Sequence, residues 1–232
     1  MARKKARVAP LDPFRRIGFF FFLTIFFAGL PDGYGQTLTD QLGRRVTAPD
    51  HPERVVALAP SITEIVFALG KGPVLKGVTR FSDYPEEAQQ LPLVGSYVQL
   101  DVEKIAALKP DLCIAVKDGN PKPAIDKLEA IGIPVFAVDP VDLETVMASV
   151  MEIGALLNAE EEARKIVNDM GARIGHVRER VDKAFHRPRI FFQIELSPIV
   201  SVGTQTFLHE LIVRAGGINV AQGSVPYPRL SR

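Results

Sequence analysis

Four short apolar runs alternate with helix-like stretches between residues 54 and 138, and this alternation constrains the fold more than any other feature of the chain. Arg54–Ala59 (RVVALA), Val74–Thr79, Asp111–Val116 and Pro134–Val138 read as strands. The first is followed at once by Pro60-Ser61-Ile62-Thr63-Glu64. A capping box is expected there, with Ser61 accepting from the Glu64 N–H and the Glu64 carboxylate reaching back to the Ser61 N–H. Ile65, Val66, Ala68 and Leu69 continue that helix until Gly70 stops it. Val102–Leu108 is a second helix, ending before Pro110, and Ala124–Ile131 is a third, closed by Gly132. Strands separated by helices require crossover connections, so the pattern predicts a parallel sheet covered on both faces.

After Asp139 the rhythm changes. From Leu143 to about Lys183 there is neither proline nor a strand signal. Val146, Val150, Ile153 and Leu157 recur every three or four residues, and so do Ile166, Met170, Ile174, Val177 and Val181. Each set marks one face of a helix. Asn158 is the expected break between them, and Glu160, Glu161 and Glu162 lie where a helix start favours acids. The second of these helices, at about 22 residues, spans about 33 Å, enough to run down two lobes and join them. His186-Arg187-Pro188 ends the helical region. Arg189–Ile194 (RIFFQI) predicts a strand opening a second lobe, Phe207–Ala215 an amphipathic helix stopped by Gly216-Gly217, and Val225–Arg232 a loop. That second lobe is about half as long as the first, near the size at which a core fails alone. Ser231 reads as a helix N-cap with nothing after it, so the expectation is that the C-terminal lobe is incomplete.

The front of the chain predicts export. Arg3, Lys4, Lys5, Arg7, Arg15 and Arg16 precede Ile17–Leu30, an uncharged apolar run. This run is shorter than the roughly 20 residues of a spanning helix and suits a signal peptide. Gly33-Tyr34-Gly35 offers small residues for cleavage before Gln36; an uncleaved anchor is the alternative. Either way the bulk of the chain is expected outside the cytoplasm, as a soluble periplasmic protein. Cys113 is the only cysteine, so no intrachain disulfide can form, and its apolar setting predicts a buried, inert thiol. No cysteine directly follows the apolar run, which excludes lipid attachment through an N-terminal cysteine. A net charge of +1 excludes an overall field that would recruit nucleic acid.

The mature chain resembles the periplasmic solute-binding proteins whose two α/β lobes are joined by one rigid backbone helix, the class that serves importers of cobalamin, haem and ferric siderophores. The likeness is carried by Arg54–Glu64 (RVVALAPSITE), Gly77–Pro85 (GVTRFSDYP), Val94–Tyr97 (VGSY), Leu100–Leu112 (LDVEKIAALKPDL) and Val225–Arg232 (VPYPRLSR). It implies an α/β fold of two Rossmann-like lobes with a ligand cleft between them. The expected divisions are a signal peptide over 1–35, a lead-in over 36–53, an N-terminal lobe over 54–140, connecting helices over 141–187 and a partial C-terminal lobe over 188–232. The resemblance is greatest to cobalamin-binding members. It implies ligand contact by Phe81, Tyr97 and Tyr227, since aromatic rings suit the broad apolar face of a corrin and a tyrosine hydroxyl suits its amide rim. It also implies docking on an ABC importer permease in the inner membrane through one surface glutamate per lobe. The first falls on Glu103, and the second would follow Arg232. The chain departs from the cobalamin-binding pattern in having no tryptophan, where relatives often place one at the positions of Tyr97 and Tyr227.

Other chemistries find less support. The histidines at 51, 176, 186 and 209 are scattered and form no nucleophile–base pattern, and no GxGxxG or phosphate loop occurs, so no enzyme is expected. His209 reads as a surface or half-buried histidine and not as a ligand of a bare metal ion. Ferric siderophore remains an alternative cargo, because Arg80 beside Phe81 and Arg229 near Tyr227 could grip anionic groups; haem is the other. The expectation is a monomer with no covalently bound cofactor, taking cobalamin as its transported ligand.

Overall fold

An antiparallel hairpin, β1 (Gln36–Thr39) with β2 (Arg45–Ala48), leads into the fold in the computed structural model, which describes residues 35–230. Residues 1–34 of the expected signal peptide, and Ser231 with it the expected helix N-cap, lie outside the described residues. β3 (Val55–Ala57), α1 (Pro60–Ala68), β4 (Leu75–Gly77) and a short hairpin of β5 (Gly95–Ser96) and β6 (Gln99–Leu100) follow. Next come α2 (Val102–Ala107), β7 (Leu112–Val116), α3 (Lys122–Ala130) and β8 (Val135–Val138). The central sheet has the order β4-β3-β7-β8 with every pair parallel, as the crossover pattern requires.

Alternate residues of each strand serve opposite faces, and both faces are buried. On one side Val55, Ala57, Ile114, Val116, Phe136 and Val138 pack against Ile62, Val66 and Leu69, and against Val150, Ile153 and Leu156. On the other Val56, Leu58, Cys113, Ala115, Val135 and Ala137 pack against Ile105, Ile125 and Leu128. Each fully buried Leu, Ile or Val contributes about 1.5–3 kcal/mol, so these two layers dominate the cohesion of this half. Cys113 is buried, as its setting predicts, and burial pushes its thiol up to about 12.

The capping box at Ser61 and Glu64 does not form. α1 starts two residues earlier, with extended Ala59 at the N-cap, Pro60 in the first turn and no side chain capping it. Proline's fixed φ and missing N–H suit the first helical position, so the helix begins at Pro60 and carries Ser61 inside its first turn.

α4 (Leu143–Leu156) and α5 (Glu160–Asp182) form the expected helix pair. Between them Asn158 adopts the left-handed conformation, φ 55°, and its amide donates to the Asp50 carbonyl at 2.7 Å. α4 begins with a capping box between Asp142 and Thr145, and the Thr145 N–H holds the Asp142 carboxyl below its usual range. α5 is 23 residues long, about 35 Å, and only Ala163 of it is fully buried.

The remainder contains β9 (Arg189–Ile190), β10 (Gln193–Leu196), β11 (Ile199–Ser201), α6 (Phe207–Arg214), β12 (Ile218–Asn219) and β13 (Arg229–Leu230). The single strand expected over Arg189–Ile194 is divided: β9 pairs in parallel with β12, while β10 joins β11 and β13 in a separate antiparallel sheet. Part of the expected terminal loop is β13, which sits on the edge of that sheet beside β11. Glu210 of α6 reaches back to the helix pair. Its Oε2 accepts from the Leu143 N–H at 2.8 Å, and its Oε1 accepts from Arg214 Nε at 2.6 Å.

Candidate functional site

In a parallel sheet the loops beyond the strands' carboxyl ends are free to form a crevice. Here Ala59–Ser61 after β3, Lys117–Asp118 after β7 and Asp139–Val141 after β8 line one cleft of about 720 Å³. Tyr97 and Tyr227 line it too, as do Gln205, Thr206 and Phe207 at the start of α6. The cleft is therefore built from both the sheet region and the chain beyond the long helix.

Tyr97 is placed by its hairpin and by a buried amide. It occupies the two-residue turn between β5 and β6, whose register pairs Gly95 with Leu100 and Ser96 with Gln99. Gly119 lies against its ring, at φ 113°, a backbone state that L side chains rarely adopt. The neighbouring Asn120 is buried, and both its amide donor and its carbonyl acceptor are engaged. Its Nδ2 donates to the carbonyls of Leu58 and Tyr97, both at 2.8 Å, and its Oδ1 accepts from the Val116 N–H at 2.8 Å. One side chain thus ties the ends of β3 and β7 to the turn that carries Tyr97.

Tyr227 sits between two main-chain anchors. The Gly203 N–H donates to the Pro226 carbonyl at 2.8 Å, and the Ser201 N–H donates to the Pro228 carbonyl at 3.1 Å. Proline on each side restricts the backbone that presents the ring. Tyr97 and Tyr227 are 37% and 51% exposed, so both rings are open to an incoming molecule.

Phe81 is 58% exposed and lies on the loop beyond β4, outside the residues that line the cleft. Its loop is pinned beside α1 by buried hydroxyls: Thr63 Oγ1 donates to Ser82 Oγ at 3.0 Å, and Thr79 Oγ1 is 3.2 Å from the same atom. Glu103 is exposed in the first turn of α2, next to the N-cap Asp101, which accepts from the Lys104 N–H at 3.0 Å. Arg80 and Arg229 are exposed, and neither lines the cleft. His209 is half-buried, its Nδ1 3.1 Å from Asn219 Nδ2, and among the described residues no cluster of three or more His, Cys, Asp or Glu side chains could hold a metal ion.

Sequence reasoning missed Lys117, Asp118, Gly119, Asn120 and Asp139. The available signal was position: Lys117-Asp-Gly-Asn-Pro121 is a turn-rich segment directly after a buried parallel strand, where such folds gather their ligand contacts.

Comparison with known proteins agrees with this geometry. A profile described as periplasmic binding protein matches residues 55–231. The vitamin B12-binding protein of Yersinia pestis (strain Pestoides F) is 35% identical over 181 residues, 78% of this chain and 64% of that protein. The chain thus spans somewhat less than two thirds of the curated relatives it matches. Among solved structures, the periplasmic vitamin B12 binding protein BtuF of Vibrio cholerae superposes with a TM-score of 0.67 at 33% identity, over 78% of this chain and 71% of that one. The periplasmic haem-binding protein RhuT from Roseiflexus sp. RS-1 superposes with a TM-score of 0.70 at 28% identity, over 77% and 70%.

Proposed function

Because this chain belongs to the periplasmic binding protein family, we propose that it captures a corrinoid, cobalamin, in the cleft and delivers it to an ABC importer. The convergence of Tyr97 and Tyr227 on one cleft carries this function. Two rings from distant parts of the chain face a space whose volume falls within the usual range of small-molecule sites. They offer wide apolar contact at low entropic cost, and a tyrosine hydroxyl can meet an amide at the ligand's rim. The similarity to vitamin B12-binding proteins of two organisms supports the choice of ligand. Phe81, on the neighbouring loop, contributes a third aromatic contact at the rim. The protein works by binding and not by catalysis, as an exported monomer in the periplasm.

Glu103 serves as a docking contact for the permease. It is exposed at a helix start, where a carboxylate is stabilised and can still meet a cation on the partner. Haem is the second candidate ligand, favoured by the similarity to RhuT, and a ferric siderophore is the third.

Native mass spectrometry of the exported protein, offered cobalamin, haem and a ferric siderophore in competition, tests the function. A one-to-one cobalamin adduct is expected. An adduct with haem or siderophore alone would overturn the ligand, and no adduct at all would overturn capture by this cleft.

A further inference from the structure

Three charged side chains line the cleft among the described residues: Lys117, Asp118 and Asp139. One cation faces two anions. Lys117 Nζ and Asp139 Oδ2 are paired at 2.5 Å, with the lysine side chain 58% exposed and the aspartate 20% exposed. The register of β7 on β8 sets this pair, because Val116 lies opposite Val138 and the next residue of each strand meets the other. The Lys117 N–H donates to the Val138 carbonyl at 2.9 Å, and the Asp139 N–H donates to Gln41 Oε1 at 2.6 Å. Backbone bonds therefore hold both residues at the cleft floor, whatever their side chains do. An ion pair this open to water adds little stability, but it sits where a ligand must make its polar contacts.

We propose that Lys117, Asp139 and Asp118 act as a charge filter that admits ligands with a carboxamide rim and rejects those with a carboxylate rim. The filter rests on the capture of a macrocycle in this cleft proposed above. A carboxamide carries an acceptor and a donor on one carbon. Lys117 can donate to its oxygen while Asp139 accepts from its NH2, so both charges keep a partner. A carboxylate offers acceptors only. It can engage Lys117 only by displacing Asp139, which leaves Asp139 and the adjacent Asp118 facing an anion with no cation to spare. A buried or half-buried charge that loses its partner is costly. The two ligand types can have the same shape, so the discrimination is electrostatic.

The test compares cyanocobalamin with its monocarboxylate derivatives, in which one peripheral propionamide has been hydrolysed, by isothermal titration. The wild-type protein is expected to prefer the amide by about tenfold, the order set by one uncompensated charge in a partly solvated site. Asp139→Asn should bring the two ligands within about threefold by freeing Lys117, and Asp118→Asn should move the ratio the same way by less. Circular dichroism melts of both variants establish that they remain folded. Equal affinity of the wild type for amide and carboxylate would overturn the filter and leave corrinoid capture standing, and so would a ratio that Asp139→Asn leaves unchanged. If neither corrinoid binds, capture of cobalamin falls, and the filter is read on ferric protoporphyrin IX against its diamide. Preference for the diamide upholds the filter; preference for the dicarboxylate, or binding of neither, overturns it.

Discussion

The ring of Tyr97 rests on Gly119: a β-carbon at Gly119 would stand 2.6 Å from both Cδ2 and Cε2 of the tyrosine. No real β-carbon approaches a ring so closely, and the φ of 113° adds backbone strain for any L side chain. Gly119→Ala is therefore expected to push Tyr97 out of position and weaken ligand binding about tenfold, roughly 1.4 kcal/mol. On a Tyr97→Ala background the same change should cost much less affinity. Titration of the four proteins of this double-mutant cycle checks the coupling, and additive losses would show that Gly119 does not act through the ring.

Asn120 satisfies three main-chain groups at once. Asn120→Ala leaves the Val116 N–H and the Leu58 and Tyr97 carbonyls without that partner. The expected loss of stability is about 2–4 kcal/mol, read from urea denaturation. Asn120→Asp should be worse than the isosteric change suggests, because a carboxylate would face two carbonyl oxygens where an amide now donates.

Glu152 on α4 has one carboxylate oxygen buried with no hydrogen-bond partner among the described residues. Desolvation raises its pKa, with the Asp40 charge adding to the effect. A carboxyl that holds its proton more tightly when folded stabilises the fold below its ordinary pKa of 4.5, and that contribution is lost as pH rises through the higher folded value. Glu152→Gln should therefore raise the urea midpoint at pH 7, with the gain shrinking as pH falls toward 4.5. An equal gain at every pH would mean that charge is not the cause.

The Cys113 thiol is pushed up to about 12 by burial, with the Asp111 charge adding to it. The native protein should resist thiol reagents at pH 8 and react promptly only in denaturant. Above the ordinary thiol pKa of 9.0 the unfolded chain releases a proton that the folded chain keeps. Stability therefore falls as pH climbs from there toward 12. Rapid labelling without denaturant would contradict the burial.

The sheet region was legible because its signals are local. Apolar runs, helix-stopping glycines and the Asn158 break each depend on a few neighbouring residues, and the same elements appear in the structure within a residue or two. Where two local signals compete, the helix follows the proline: Ser61 and Glu64 fit a capping pattern, but Pro60 beside them is the better first helical residue. The division of Arg189–Ile194 was not legible, since β9 and β10 are separated by the sheets they join and not by any break in composition. β13 is two residues long and exists only because β11 offers an edge. Of the aromatics that family likeness implies, Tyr97 and Tyr227 line the cleft and Phe81 does not. Asn120 and the Lys117–Asp139 pair depend on strand register, which brings together groups far apart in the chain.

The hydrogen bond from the Leu143 N–H to Glu210 lies just outside the cleft, one short step from Val141 on one wall and one helical turn from Phe207 on the other. Among the described residues this bond links the two walls. Widening the gap by swinging α6 away must first break that bond and leave a helix-start N–H bare. Ligand exchange should then behave like a door on a catch: the interval between openings is governed by Glu210, and the fit of the closed state by the tyrosines.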